Sequence, residues 1–100
     1  MSYNFTADKR GGRDLQILRH TLRQFVLIEF FPIEVSEELL TLGISIPYKS
    51  MDDAQFKTEF EDMMKYLIVK QGFVVTDLFT GKPILADNIS GLAKKISSCE

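Results

Sequence analysis

Residues 56–75 read FKTEFEDMMKYLIVKQGFVV, and the predicted fold is built outward from this stretch. Phe56, Phe60 and the apolar residues that follow recur at intervals of three and four, which is typical of an amphipathic helix at about 51–70. Gly72 is the expected stop signal for that helix. The β-branched and aromatic residues after it predict a strand, and a turn around Gly81 folds that strand into a β-hairpin.

Three more helices are predicted around this unit. An apolar stripe over 13–30 predicts a first helix, which Pro32 ends because proline lacks an N–H and disfavours helical geometry before it. Ser36 caps a short second helix that ends at Gly43, and a last helix begins near residue 87. The predicted fold class is therefore mainly α with a small β-hairpin (α+β), winged-helix-like, in the order helix–helix–helix–hairpin–helix.

Length and composition indicate one small soluble domain. The chain has 100 residues, of which 45% are hydrophobic and 26% charged, as in ordinary globular domains. Residues 1–12 lack periodicity and end in two glycines, so they are predicted to form a flexible basic arm before a single domain at 13–100. The net charge is −2, and residues 25–64 hold nine acidic but only two basic side chains. Any nucleic-acid binding must therefore come from a local basic patch.

The patterns that carry catalysis or metal binding are missing from the sequence. One cysteine, Cys99, and one histidine, His20, cannot supply a zinc site or a nucleophile–histidine pair. There is no glycine-rich phosphate loop. The carboxylates of Asp52, Glu59 and Asp62 are interpreted as a solvated helix face, because buried charges are rare. We therefore expect no enzyme activity, no cofactor and no metal.

The sequence predicts a cytoplasmic protein that does not enter the membrane. No stretch approaches the roughly 18 apolar residues that span a bilayer. The first ten residues carry charges where a signal peptide needs its apolar region. A single cysteine cannot form an internal disulfide, so no oxidising compartment is indicated.

The segment at 60–75 resembles the winged-helix proteins of the MarR and PadR type. In those families a helix ends in leucine, a few residues, glycine, an aromatic residue and valine before the wing, and Leu67, Gly72, Phe73 and Val74 match that pattern. Residues 74–85 resemble the wing itself, and 87–93 the final helix. The opening FTADKRGGRDL, residues 5–15, is similar to small proteins of Mu-like prophages.

DNA binding is the function that this resemblance implies, in a transcriptional or phage regulatory protein. The arm would follow phosphates or enter a minor groove, other cations would contact phosphates, and Gln55 and Thr58 would reach base edges. Double-stranded DNA is then the partner. The expected DNA-binding residues are Lys9, Arg10, Arg13, Arg19, Arg23, Lys49, Gln55, Lys57, Thr58 and Lys82.

Two features favour an alternative, a protein–protein interaction module on the same fold. The link between the second and third helices is longer than a helix-turn-helix allows, and phosphate would repel the acidic third helix. That helix would instead face a basic partner. Phe25, Phe30 and Phe31 either fill the core or form the seam of a homodimer. The DNA target, the protein partner and the oligomeric state stay open.

Overall fold

Four strands and three α-helices make up the computed structural model, which describes residues 2–10, 15–36 and 38–97. The strands are β1 (Ser2–Arg10), β2 (Glu29–Val35), β3 (Leu39–Pro47) and β4 (Val74–Asp77). The helices are α1 (Leu15–Leu22), α2 (Phe56–Lys65) and α3 (Ile89–Ser97). Short 3₁₀ turns cover Tyr48–Asp52 and Ala86–Asn88, and a π turn at Tyr66–Lys70 extends α2.

The strands form one antiparallel sheet in the order β2-β3-β1-β4. At the centre, Phe5 of β1 lies opposite Ile44 of β3 on one side and Asp77 of β4 on the other. β2 follows α1 and pairs with β3 as a hairpin. This β-α-β-β-α-β connectivity is the ferredoxin-like, or split β-α-β, arrangement, with α3 added at the end. Because unrelated functions use the same arrangement, the fold assigns no function by itself.

Alternation of side chains explains why residues 2–10 and 39–47 form strands. Successive residues of a strand point to opposite faces, and the residues of β1 and β3 that point inward are mostly apolar. The opposite face carries small polar side chains such as Asn4 and Thr6, as expected of an antiparallel sheet with one solvated face. The buried inward residues of these two strands are Phe5, Ala7, Leu40, Leu42, Ile44 and Ile46.

Helices α2 and α3 supply the other half of the core. The Phe60 ring is fully buried, with its centroid 5.9 Å from that of Phe5 and 5.7 Å from that of Phe56. Burying each such ring contributes about 2–3 kcal/mol to stability. The inward stripe predicted for the third helix is therefore confirmed. Its further buried members, with those of α3, are Met63, Met64, Leu67, Ile89, Ala93 and Ile96.

The winged-helix-like fold class is wrong. The first helix, predicted over 13–30, ends at Leu22, and its last two predicted residues instead begin the edge strand β2. The predicted second helix at 36–42 lies largely in β3. Residues 2–10, predicted as part of a flexible arm, form the central strand β1. Ser36 and Gly43 do match helix-capping patterns, but a cap contributes about 1 kcal/mol. Burial of the four inward β3 side chains, at roughly 1.5–3 kcal/mol each, outweighs it.

The second half of the chain follows the prediction more closely. α2 and its π turn lie within the predicted 51–70, and Gly72 follows with a φ of 73°, in the left-handed region that favours glycine. The predicted turn around Gly81 is present, closed by a bridge between Thr76 and Pro83. β4, however, joins the main sheet beside β1 instead of standing apart as a wing.

Candidate functional site

An open groove lies between α1 and β2, on the inward side of the sheet. Its volume is about 450 Å³, which lies within the range of protein ligand sites. We call it the α1–β2 groove. Its lining residues are Leu18, Arg19, Leu22, Arg23, Phe25, Val26, Ile28, Phe30, Phe31, Pro32 and Leu42.

The floor of the α1–β2 groove belongs to the folded core. α1 ends at Leu22, and the chain then turns through residues 23–28 before it enters β2. Phe25 and Ile28 are buried, and the Phe25 and Phe30 rings lie 6.3 Å apart. Of the two uses proposed for these aromatic residues, core packing therefore describes Phe25. The apolar floor of the groove is therefore part of the folded core.

A carboxylate from α2 holds the wall of the groove. The two oxygens of Glu59 accept hydrogen bonds from the backbone N–H groups of Val26 and Leu27, each at 2.9 Å. Glu59 is half-buried. Its interpretation as part of a solvated acidic face is therefore wrong, because two backbone donors that the turn leaves unpaired need an acceptor. Glu59 lies 33 residues after Val26 and 32 residues after Leu27 in the sequence, so no local pattern could indicate the contact.

The edge strand β2 leaves large apolar side chains in water beside the groove. Phe31, Ile33 and Val35 are 49%, 55% and 54% exposed, and Val26 on the adjoining turn is 81% exposed. Exposed apolar surface on a small domain commonly marks an interaction site. The register divides these side chains between the two faces of β2, because Phe31 pairs with Gly43 and Val35 with the inward-pointing Leu40. Part of this surface serves the sheet itself, since the Phe31 ring lies over Gly43 of β3.

Two arginines lie at the rim of the groove. Arg19 and Arg23 line it and are exposed, and no acidic residue is among the described residues that line it. The Arg23 N–H donates to the Arg19 carbonyl at 3.2 Å, so the helical turn continues past α1 and both side chains leave the same side. Apolar walls with two guanidinium groups at the rim suit a ligand that is apolar and carries negative charge.

The other predicted DNA-binding residues are spread over the molecule. Lys9 and Arg10 end β1, whereas Lys49 follows Pro47, which pairs with Ser2 at the opposite end of that strand. Nine residues of strand separate the two ends by roughly 27 Å. The Lys9 amino group lies 5.7 Å from the centroid of the Phe73 ring, a cation–π contact within the domain.

The remaining predicted positions divide between α2 and the turn after β4. Gln55 precedes α2, Lys57 and Thr58 lie in its first turn, and Lys82 lies in the turn that contains Gly81. All four are exposed. Arg13 lies outside the described residues. Among the predicted positions within the described residues, Arg19 and Arg23 come together at the α1–β2 groove.

A second cluster surrounds the buried carboxylate of Asp77, at the end of β4. Asp77 is 2% exposed and accepts hydrogen bonds from the Tyr3 hydroxyl at 2.6 Å and from the Phe79 and Thr80 N–H groups at 2.8 and 3.3 Å. These donors satisfy the carboxylate and fix the turn, so the cluster is structural. Among residues 2–10, 15–36 and 38–97, no group of three histidine, cysteine, aspartate or glutamate side chains could hold a metal ion.

Comparison of the chain with protein-family models, with curated proteins and with solved structures found no match to any of them. The winged-helix and prophage resemblances therefore have no support beyond the residues that suggested them. In the part of the chain that the structure describes, no helix is long and apolar enough to cross a bilayer. The sequence held one signal for the groove, the aromatic residues Phe25, Phe30 and Phe31, which were expected either to fill the core or to form the seam of a homodimer.

Proposed function

We propose that this chain is a non-catalytic protein-binding domain whose α1–β2 groove receives an apolar segment of another protein. The observation that carries the proposal is the groove itself, an apolar concavity of about 450 Å³, and the 81% exposed side chain of Val26 on its wall. A protein segment that covered them would remove this apolar surface from water, at about 25 cal/mol for each Å² buried.

The distribution of charge supports a protein partner over DNA. A DNA-binding surface needs cations that can reach neighbouring phosphates together, and Lys9 and Lys49 lie near opposite ends of the sheet. Sheets that bind single-stranded nucleic acid present aromatic side chains from their strands. The central strand β1 presents Asn4, Thr6 and Asp8 on its solvated face, and the aromatic ring that lies beside them comes from the edge strand, where Phe31 covers Gly43. DNA binding stays a prediction of the sequence, and the experiment below tests it.

A cytosolic location is part of the same proposal. The single cysteine of the chain cannot form an internal disulfide, which agrees with a domain that works in a reducing compartment. The partner is then expected in the cytosol as well.

Selection from a random peptide library displayed on phage tests the proposal. Peptides selected on the wild-type protein are expected to shift the backbone amide resonances of Leu18, Leu22 and Leu42 in a ¹⁵N NMR spectrum. Val26→Ser, at an exposed groove position, is expected to weaken binding about fivefold because it removes roughly 1 kcal/mol of apolar contact.

Leu85→Ser is the matched control, because Leu85 is 60% exposed and lies in the segment that follows β4, outside the groove. It is expected to leave peptide affinity unchanged. Equal loss in both variants, or resonance shifts confined to residues outside the groove, would overturn the proposal. A mobility shift with random duplex DNA at low salt completes the experiment, and micromolar binding there would restore the DNA hypothesis.

A further inference from the structure

We infer that the segment received by the α1–β2 groove is an acidic amphipathic helix from a different protein. This inference rests on the proposed function and adds the conformation and the charge of the partner. Three features of the described residues carry it: the backbone of β2, the charge of the rim and the chemistry of the chain's own helices.

The backbone of β2 opposes the simplest alternative, an extended peptide that adds a strand at the open edge. The Asn4 carbonyl accepts a hydrogen bond from the Leu78 N–H, so the backbone N–H and C=O of Asn4 point toward β4 and away from β3. Because hydrogen-bonding directions alternate along antiparallel strands, Phe31 points its backbone groups at Gly43 of β3, and Pro32 points its own outward. Proline offers no N–H there, so an added strand would find the row of donors interrupted.

A register shift next to Pro32 interrupts the same edge a second time. The pairing with β3 passes from Pro32 directly to Glu34, which leaves Ile33 as an extra residue in a bulge. Prolines and bulges are the devices by which edge strands avoid pairing with other chains. The groove beside this edge therefore suits side-chain contact with a helix better than backbone contact with a strand.

The charge of the rim selects an acidic helix. Arg19 and Arg23 stand on the same side of α1 and its continuation, above an apolar floor that includes Leu22 and Phe30. A helix that lays an apolar stripe on the floor brings flanking carboxylates to both guanidinium groups, which bind carboxylates in a forked, bidentate geometry. β2 is about 20 Å long, which a helix of about 14 residues would span.

A second copy of this chain does not offer such a helix among its described residues. α2 carries Glu59, Glu61 and Asp62, but its apolar stripe is buried in its own core. α1 and α3 carry basic residues in their last turns and no acidic residues in their first. The partner is therefore another protein.

Three phage-displayed peptide libraries of about 14 residues test the inference. The first two place randomised apolar residues at helical spacing and flank them with glutamate or with lysine; the third alternates apolar residues with glutamate and has a central proline. We expect the glutamate helix library to yield the binders. Its best peptide should lose about tenfold in affinity when both arginines are changed, Arg19→Glu and Arg23→Glu, because two favourable pairs become repulsive.

Lys82→Glu is the matched control for charge reversal, because Lys82 is exposed and lies in the turn after β4 at the other edge of the sheet. It should change affinity less than twofold. If the binders came mainly from the lysine library, or mainly from the third library of alternating apolar residues and glutamate, the inference would be overturned and the proposed function would stand. Absence of groove-directed binders in all three libraries would overturn the proposed function and this inference together.

Discussion

The two edges of the sheet are built differently. At the β4 edge, the chain returns on itself: the Asp77 N–H donates to the Lys82 carbonyl at 3.0 Å and the Ile84 N–H to the Val75 carbonyl at 2.7 Å. At the β2 edge, the described residues give the strand a partner on one side only, β3. The β4 edge is closed by the chain's own backbone, whereas the β2 edge leaves apolar side chains exposed beside the α1–β2 groove.

This difference indicates where the chain is free to bind. Local hydrogen bonds stabilise the closed edge. The wall of the open edge is stabilised from a distant helix, because Glu59 of α2 accepts hydrogen bonds from the backbone of residues 26–27. Both edges carry a proline, Pro83 and Pro32, at which no backbone donor is available. The open edge therefore avoids unspecific strand pairing but keeps an apolar surface.

The largest expected effect comes from opening the closed edge at Asp77. Asp77→Ala removes the acceptor of the Tyr3 hydroxyl and of the Phe79 and Thr80 N–H groups. Hydrogen bonds to charged groups contribute about 1.5–3 kcal/mol each and are not additive, so we expect a loss of about 3 kcal/mol in the free energy of unfolding. Urea denaturation measures it.

Tyr3→Phe is the companion to that variant, since it removes one donor and leaves the turn amides bonded to the carboxylate. We expect it to cost about 1 kcal/mol. A cost below 1 kcal/mol for Asp77→Ala would mean that the turn closes the edge without its buried carboxylate.

The next effect is expected at the wall of the open edge. Glu59→Ala leaves the Val26 and Leu27 N–H groups without their acceptor, and we expect it to lower the free energy of unfolding by about 2 kcal/mol. Hydrogen exchange of these two amides should accelerate at the same time. The control is Asp62→Ala on the same helix, at an exposed position, where a change within about 0.5 kcal/mol is expected. Equal effects from both variants would show that the wall does not depend on Glu59.

A smaller effect is expected from the glycine in the turn of the closed edge. Gly81 has a φ of 72° with open space around its α-carbon, so Gly81→Ala pays only for the left-handed conformation, about 1.5 kcal/mol. The same substitution at Gly91, exposed within α3, should instead raise stability by about 0.5–1 kcal/mol, because alanine favours helix. Thermal unfolding would show the opposite signs directly, and a shift of the same sign in both variants would contradict the assigned backbone conformations.

The helices that pack by a regular stripe and the strand β4 could be predicted from the sequence, whereas β1, β2 and β3 could not. In α2, apolar residues recur at intervals of three and four, and this spacing indicates a helix without an alternative. In 39–47, Leu40, Leu42 and Ile44 alternate as in a strand, but Gly43 falls where a helix cap is expected. Only the pairing with β1, more than 30 residues earlier, decides between the two.

The candidate site was predictable only in its parts. Arg19 and Arg23 could be identified as exposed cations, but not as the rim of an apolar groove, because the floor also needs Leu42 from β3. The same limit applies to Glu59, whose partners depend on how α2 crosses the sheet. Sequence patterns describe one element at a time, and a site made of several elements requires their arrangement.

The smallest expected effect concerns Phe31, and it tests whether this exposed ring of the open edge packs on the sheet. A Cβ at position 43 would overlap the Phe31 ring, so Gly43→Ala should cost about 1 kcal/mol by displacing the ring into water. In a Phe31→Ala background, the same change should cost nothing, since the space is then empty. A double-mutant cycle by urea denaturation therefore gives a coupling of about 1 kcal/mol. A coupling near zero would show that the Phe31 ring does not occupy the space above Gly43 and is free on the surface of the sheet.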